Sequence, residues 1–261
     1  MNYCSHLKYK YENKEIIRNI FSITLVSCGD DEKQEIYSLS FEKGYYERPL
    51  LGAKNIPVRG GNRDYTVTVQ NTDVLSIDID LSSPIDMGNL VVKPKQKGET
   101  TITVKDNVTN ETVDLKIKIV DSYLNLKVAH PAQVPYTGGE NLFFINNSDR
   151  DFYLFDEKME KKECTGNYQF LIKNSTCYMI LNFDKELNDK RTYEYNISNT
   201  SERMFTLIEI LLGIDWNMKA DLINRSTRSA SPVTMNAVDT ETNIIQYFVA
   251  GSNDIPEKIL D

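Results

Sequence analysis

The sequence contains only two histidines, His6 and His130, and this scarcity narrows the chemistry open to it. A serine hydrolase triad needs a histidine base beside a nucleophile on a Gly-x-Ser-x-Gly elbow, and the sequence has no such elbow. A zinc site needs three or four nitrogen or sulfur ligands, more than these residues supply. A glycine-rich loop that could cradle a phosphate is also missing. We therefore predict no enzyme activity, no catalytic residues, no metal site and no cofactor.

The sequence also lacks long apolar runs and an excess of basic residues over acidic ones. A bilayer-spanning helix takes about 20 apolar residues. The longest apolar stretch downstream of the N-terminal region, 207–214, is interrupted by Glu209 and Gly213. Acidic side chains number 38 against 30 basic ones, which gives a net charge of −8. Because an acidic surface repels phosphate backbones, we expect no nucleic acid among the partners.

One short apolar segment, 20–26, follows several basic residues and ends just before Cys28. A basic start, a short apolar core and a small residue before the cut are the parts of a signal peptide. The sequence Leu25-Val26-Ser27-Cys28 resembles a bacterial lipobox, in which the cut is made before a cysteine that carries a lipid. An ordinary buried strand over 20–26 is the alternative interpretation.

The residues after Cys28 are acidic and favour the lipobox. The run Gly29-Asp30-Asp31-Glu32 resembles the tag that follows the lipidated cysteine in Bacteroidetes surface lipoproteins. The resemblance implies a lipoprotein signal peptide over 1–27, a lipid on Cys28 and an acidic tether over 28–35. It also implies an outer-membrane, cell-surface location in which the lipid anchor is the only membrane contact.

Two further cysteines, Cys164 and Cys177, belong to the part that would fold outside the cell. Around Cys177, two alternating segments predict a hairpin that turns at 174–175 and places Ile172 opposite Cys177. Cys164 then lies far along this hairpin, well beyond the roughly 7 Å that a disulfide spans between Cα atoms. We predict that both cysteines remain thiols.

Between residues 36 and 120, apolar and polar residues alternate in short segments separated by turn residues. Ile102 and Val104, for example, alternate with Thr101 and Thr103. One apolar face and one polar face are typical of antiparallel sheets that pack on one side only. About seven such segments predict a β-sandwich.

Part of this region resembles a known domain. The segments 71–77, 88–92 and 97–104, the last reading Lys-Gly-Glu-Thr-Thr-Ile-Thr-Val, resemble the bacterial Ig-like domain of invasin and intimin type. Gly98 would provide the positive backbone dihedral of a tight turn before a paired strand. The resemblance implies an Ig-like β-sandwich over 36–121.

Residues 122–261 continue the pattern with candidate strands that are joined by short polar turns. The candidate strands are 123–129, 141–145, 152–155, 167–172, 177–183, 193–197, 204–211, 232–238 and 244–249. Sequential strands of this kind predict an antiparallel meander or barrel-like domain. For 201–212 we favour a strand, because the neighbouring segments are strands, over a helix capped by Ser201.

This second region weakly resembles the lipocalin-like domains of Bacteroidetes lipoproteins. The resemblance rests on a Gly-x-Tyr strand at 166–168 and a Tyr-x-Tyr-x-Ile strand at 193–197. It implies an antiparallel β domain over 122–261, so that the whole chain belongs to the all-β class. A barrel of this kind holds either a small ligand or its own side chains.

Aromatic residues give the candidate ligand site. Trp216 is the only tryptophan and lies between Asp215 and Asn217, and sugar-binding surfaces combine an aromatic ring with such polar groups. Tyr45 and Tyr46, expected in a turn after Gly44, are the second candidates. Packing is the alternative for each, with Trp216 closing one end of a barrel.

These observations lead to a hypothesis and two alternatives. The chain is predicted to be a non-catalytic surface lipoprotein, in which an Ig-like spacer presents a C-terminal β domain that binds a glycan or a protein. The first alternative is a structural or assembly component of an envelope protein complex. The second is a glycoside hydrolase that uses paired carboxylates.

Overall fold

The computed structural model describes residues 35–216 and 233–260, and the described residues from Ile36 onward belong to one compact unit. The predicted signal peptide and Cys28 lie outside the described residues. Fifteen strands and one short helix occur in the described part, so the all-β prediction is confirmed. No helix there is long and apolar enough to cross a membrane.

Seven strands in the first half form two sheets around a shared core. They are β1 (Tyr45–Pro49), β2 (Ile56–Pro57), β3 (Tyr65–Val69), β4 (Leu75–Asp80), β5 (Asn89–Pro94), β6 (Gly98–Asp106) and β7 (Thr112–Val120). One sheet has the order β1-β7-β6-β3 and the other the order β2-β5-β4. Leu75 from one sheet and Ile102 and Leu115 from the other are fully buried in one core. The two sheets therefore form a β-sandwich.

The alternation of the sequence decides which face of each strand is buried. In β6, Ile102 and Val104 point into the core, whereas Thr101 and Thr103 are only partly covered. Gly98 has a φ of 147°, and a Cβ there would lie 3.2 Å from the side chain of Val74. The positive dihedral expected at this glycine is therefore present.

The first strand pairs differently from our expectation of antiparallel sheets. β1 runs parallel to β7, with Tyr46 beside Ile117, whereas β2 pairs antiparallel with β5 in the other sheet. The chain thus crosses from one sheet to the other between Pro49 and Ile56. This crossing gives each sheet one strand from the segment 45–57.

The remaining eight strands form a closed antiparallel barrel. They are β8 (Tyr123–Val128), β9 (Asn141–Ile145), β10 (Asp151–Phe155), β11 (Lys162–Lys173), β12 (Thr176–Leu187), β13 (Lys190–Asn196), β14 (Thr234–Asp239) and β15 (Ile245–Ala250). Each strand pairs with the next along the chain, and β15 pairs with β8 to close the ring. The predicted meander is therefore present, and it is closed.

The hairpin of β11 and β12 has the predicted register. Ile172 lies opposite Cys177, and the turn residues Asn174 and Ser175 both have positive φ, as in the two-residue turns that match strand twist. Cys164 instead lies opposite Leu154 of β10, so the two cysteines are not joined by a disulfide.

The barrel is closed least tightly between β13 and β14. Only two residue pairs link these strands, Tyr195 with Asp239 and Asn196 with Val238. Beyond these pairs, a side chain takes the place of strand pairing, since the Thr200 hydroxyl accepts a hydrogen bond from the Asn236 N–H at 3.2 Å.

One segment was predicted wrongly. We favoured a strand over 201–212, but Glu202–Leu212 is a helix, α1. Met204, Phe205, Ile208 and Leu212 are its buried residues, a spacing that suits the 3.6-residue period of a helix. Gly213 ends it in the left-handed conformation, with its N–H donating to the Glu209 carbonyl. The apolar face packs against the barrel core, and this tertiary contact decides the conformation.

The segment 251–260 joins the sandwich to the barrel. Ile255 and Leu260 are buried among Val120 of β7 and Phe143 of β9. The Lys258 N–H also donates to the Glu47 carboxylate in β1 at 3.0 Å. The proposed boundary at residue 121 falls between β7 and β8, and the division into two domains stays a prediction.

Candidate functional site

The two ends of the barrel are closed in different ways. Helix α1 and Trp216 fill one end, where β13 finishes and β14 begins. The other end, which we call the loop end, lies where β8, β10, β12 and β14 finish. There residues 129–140, the covering loop, lie across the barrel between β8 and β9. In the sequence these residues fall between the candidate strands 123–129 and 141–145, and no role was predicted for them.

Glu140 anchors one side of the covering loop. Its carboxylate accepts hydrogen bonds from the Thr137 N–H and hydroxyl, both at 2.6 Å, and from the Gly138 N–H at 2.7 Å. Burial alone would raise the pKa of Glu140, but the hydrogen bonds from Thr137 and Gly138 outweigh it and lower this pKa. Both carboxylate oxygens are therefore occupied by the loop itself.

Gln246 of β15 anchors the other side. This side chain is 1% exposed. Its carbonyl oxygen accepts from the Gln133 N–H at 2.7 Å, and its amide donates to the Tyr247 carbonyl at 2.8 Å and to the Ala129 carbonyl at 3.4 Å. A buried amide with these partners holds the start of the loop on the barrel.

Between its anchors the covering loop separates two cavities. The first, the acidic cavity, has a volume of about 330 Å³ and lies beside β10 and β11. Four carboxylates line it, from Glu140, Asp156, Glu157 and Glu163, together with Cys164. Burial raises the pKa of the Cys164 thiol to about 11, which leaves it protonated and weakly nucleophilic at neutral pH.

The second cavity, the tyrosine cavity, has a volume of about 250 Å³ and lies between the covering loop, β13 and the turn from β14 to β15. Tyr193 and Tyr195 line it, with their rings stacked at 6.4 Å between centroids. Asp239, Lys190 and Gln246 add polar groups. A few polar groups around aromatic rings are typical of small-molecule sites.

Tyr136 of the covering loop inserts into the barrel core. It is 5% exposed, and its ring meets Phe248 edge to face at 5.5 Å. Its hydroxyl lies beside that of Tyr195 and the two interact with each other, but neither makes a well-formed hydrogen bond with any other described residue. Two buried hydroxyls whose only hydrogen-bonding contact is each other are unusual, and they lie at the inner wall of the loop end.

Comparisons with known proteins add little to this geometry. No protein-family model matches the chain, and no curated protein matches it. Two of the solved structures that align with it are of S-layer protein SbsC. The first, domains 4–9, has 11% identity and a TM-score of 0.29, and the alignment covers 83% of this chain and 31% of that one. The second, domains 5–6, has 13% identity and a TM-score of 0.28, with 82% and 95% covered.

The chain therefore spans less than a third of the first of these structures. Surface-layer protein domains are among the structures that align with the chain. Alignments at these TM-scores do not establish a common fold.

The predicted ligand residues lie elsewhere. Trp216 is 5% exposed, packs edge to face on Phe170 and Phe205, and donates from its indole nitrogen to the Phe205 carbonyl at 3.3 Å. It closes the helix end of the barrel, which is the alternative that the sequence left open. Asp215 is exposed, and Asn217 lies outside the described residues. Sugar binding by this trio stays a prediction that the geometry does not favour.

Tyr45 and Tyr46, the second pair of predicted ligand residues, lie in β1 rather than in a turn. The Tyr45 hydroxyl donates to Glu47 at 2.6 Å, and burial together with this carboxylate raises the pKa of Tyr45. Tyr46 is 3% exposed, with Lys43 and Arg48 each 5.1 Å from its ring centroid. Neither ring is displayed for a ligand, because Tyr46 is buried and Tyr45 supports the carboxylate that holds the segment 251–260.

The site thus combines residues that the sequence analysis did not single out. Tyr136, Glu140, Tyr195, Asp239 and Gln246 come from the covering loop and three separate strands. A cluster of prolines and glycines just before a buried glutamate marked the loop in the sequence. Nothing local to the sequence indicated which strand ends the loop would meet.

The hydrogen bonds of Glu140 give a prediction about pH. The pKa of Glu140 is lower in the folded state than the ordinary value of about 4.3. Its stabilising contribution is then fully present above that value and is lost as the pH falls through the folded pKa. We expect Glu140→Gln to lower the free energy of unfolding at pH 7 by about 2 kcal/mol, because the new amide opposes the Gly138 N–H.

The measurement is urea unfolding of both proteins between pH 7 and pH 3. The difference between wild type and Glu140→Gln should shrink as the pH falls below about 4.3, because the wild-type carboxylate becomes protonated in that range. Glu163→Gln, at the more exposed rim of the same cavity, is the matched control and should follow the wild type. A difference that stays constant over this pH range would contradict the assignment.

Proposed function

We propose that this protein is a non-catalytic surface lipoprotein whose barrel binds a glycan or a protein ligand at its loop end, with the sandwich as a support. The observation that carries the proposal is the asymmetry of the barrel. One end is filled by α1 and Trp216, with a cavity of about 160 Å³ beside α1, whereas the loop end holds two larger cavities near the buried hydroxyls of Tyr136 and Tyr195. Ligand sites in β-barrels commonly lie at the mouth of the barrel.

The role of the sandwich is supported by the way it is tied to the barrel. Lys118 of β7 donates to the Leu260 carbonyl at 2.9 Å, and Lys54 forms an ion pair with Asp254 at 2.9 Å. Together with the buried Ile255 and Leu260, these contacts hold both parts in one unit.

The anchor itself is tested by intact mass and membrane fractionation of the native protein. We expect a chain that begins at a diacylated Cys28 and sediments with membranes. Cys28→Ala should retain residues 1–27 or move to the soluble fraction, whereas Cys4→Ala, inside the predicted signal peptide, should behave as the wild type. An unmodified chain that retains residues 1–27 in the cytoplasm would contradict the lipoprotein proposal.

Ligand binding is tested by titrating a glycan panel and extracellular-matrix proteins against the full chain. Hydrogen exchange then locates any contact. Protection confined to the covering loop and the turn 240–244 would support the proposal. Binding located on the sandwich instead, or no binding by either class of ligand, would contradict it.

A structural role in an envelope complex is favoured by one observation. Apolar side chains are exposed around the loop end, with Val134 at 63%, Ile244 at 46% and Tyr247 at 44%. Exposed apolar groups close together often mark a protein interface. This alternative predicts that a protein partner, rather than a glycan, protects the loop end.

A glycosidase gains no comparable support, because the buried carboxylate of Glu140 is fully used by the covering loop.

A further inference from the structure

We propose that the tyrosine cavity binds a single neutral, polyhydroxylated ring such as a terminal sugar residue. The inference rests on the proposed function and specifies its ligand class and its residues. It places the sugar at Tyr195 and Asp239 and not at Trp216. Four features of the cavity carry the inference: its size, its donors, its acceptor and its charge.

The size limits the ligand to something small. The cavity has a volume of about 250 Å³, somewhat below the roughly 300 Å³ at which the range of drug-sized ligand sites begins. Val134 and Ile244 form an apolar rim, and Tyr193 and Tyr195 form an aromatic wall. A sugar ring presents apolar C–H faces and polar hydroxyl edges, so it matches a cavity with both kinds of surface.

The donor is the Tyr195 hydroxyl. Tyr195 is 2% exposed and lines the cavity, and its hydroxyl interacts with that of Tyr136 without forming a hydrogen bond of good geometry. Burial raises its pKa, so the hydroxyl keeps its proton at neutral pH. A buried hydroxyl whose hydrogen-bonding capacity is only partly used is costly, and a ligand oxygen in the cavity would satisfy it.

The acceptor is the carboxylate of Asp239. It is 8% exposed, and its hydrogen bonds from the Glu241 N–H, the Thr242 N–H and the Thr242 hydroxyl, at 2.8 to 3.0 Å, all end on Oδ1. In the described part of the chain, Oδ2 is thus left for an incoming donor. A sugar hydroxyl can donate to this carboxylate while a neighbouring oxygen accepts from Tyr195.

The charges around the cavity favour a neutral ligand. Lys190 is the cation that lines it, and its ammonium pairs with Glu241 at 2.9 Å and lies 4.8 Å from the Tyr193 ring centroid. With Asp239 also ionised, the balance of these groups is negative. A phosphate or a uronic acid would therefore be repelled, whereas an uncharged hydroxyl-bearing ring would not.

The experiment is calorimetric titration of the full chain with methyl glycosides of neutral sugars, with a methyl glucuronide as the acidic comparison. Tyr195→Phe and Asp239→Asn remove one hydrogen-bonding group each. We expect about tenfold weaker binding of the neutral glycoside for each variant, and weaker binding of the glucuronide by the wild type. Tyr178→Phe, on the outer face of β12 near the other end of the barrel, is the matched control and should bind as the wild type.

Folding is checked separately. Tyr195→Phe should unfold within a few degrees of the wild-type temperature, because the hydroxyl that it removes has only the poorly aligned contact with Tyr136. Asp239→Asn keeps the Oδ1 acceptor of the turn. A neutral glycoside that binds equally to wild type and both variants would overturn this inference and leave the proposed function standing. The inference would also be overturned if the wild type bound the glucuronide as tightly as the neutral glycosides, or if it bound no neutral glycoside. A matrix protein bound at the loop end would in either case still support the proposed function.

Discussion

Gly166→Ala is expected to lower the free energy of unfolding by about 3 kcal/mol, because the barrel has no room for a methyl group at this position. A Cβ on Gly166 would lie 2.0 Å from the Asn182 carbonyl oxygen in β12 and 2.7 Å from the ring of Phe152 in β10. Both neighbours are fixed by strand pairing, so relief requires that the backbone of β11 shift. Such a shift would disturb the aromatic core on either side.

The matched control is Gly44→Ala. A Cβ there would meet nothing within 4 Å, and the residue has no positive φ. We expect Gly44→Ala to change stability by less than about 0.5 kcal/mol. Urea unfolding of both variants is the measurement. If the two variants are equally stable, there is more space around Gly166 than these distances allow, and the prediction is wrong.

The second large effect is expected where the segment 251–260 meets the barrel and the sandwich. Ile255→Ala and Leu260→Ala each remove a buried side chain from the cluster that contains Val120 and Phe143, and each should cost about 2 to 5 kcal/mol. Because both belong to one cluster, the double variant should lose less than the sum of the two. Ile85→Ala, at a position 94% exposed, is the matched control and should have almost no effect.

The double variant should also separate the unfolding of the two parts. Trp216 is the only tryptophan and lies in the barrel, so its fluorescence follows the barrel alone, whereas far-ultraviolet circular dichroism follows both parts. In the wild type, the two signals should change at the same urea concentration. In the double variant we expect two different midpoints. Coincident midpoints in both proteins, with unchanged stability, would remove the coupling role assigned to this segment.

The parts of the fold that were predicted correctly are those encoded within a few neighbouring residues. The hairpin of β11 and β12 follows from strict alternation on both sides of Asn174 and Ser175, since a slip of one residue would expose the entire apolar face. The sandwich strands follow from the same alternation. In each case the information lies in one hairpin or one strand.

The wrong predictions concern residues whose structure depends on contacts with residues far away in the sequence. The segment of α1 contains helical spacing, but the neighbouring strands made a ninth strand the more consistent choice. The barrel closes without it, because β15 pairs with β8 and leaves that segment to fill one end. Trp216 has the sequence surroundings of a ligand residue, yet Phe170, far away in the sequence, covers its ring. The loop-end site was missed for the same reason, since Tyr136, Tyr195 and Gln246 meet only in the closed barrel.

The closure of the barrel by β8 and β15 also sets an order of events during synthesis. The sandwich has all of its strands once residue 120 has emerged, and it can fold while later residues are still being made. The barrel cannot close before Ile245–Ala250 is available, so seven of its strands wait with an open edge. The segment 251–260 emerges after that and packs back on the finished sandwich. The contacts of the segment 251–260 that join the sandwich to the barrel therefore form only after the last barrel strand has been made. Until then the two parts are separate folding units on one chain.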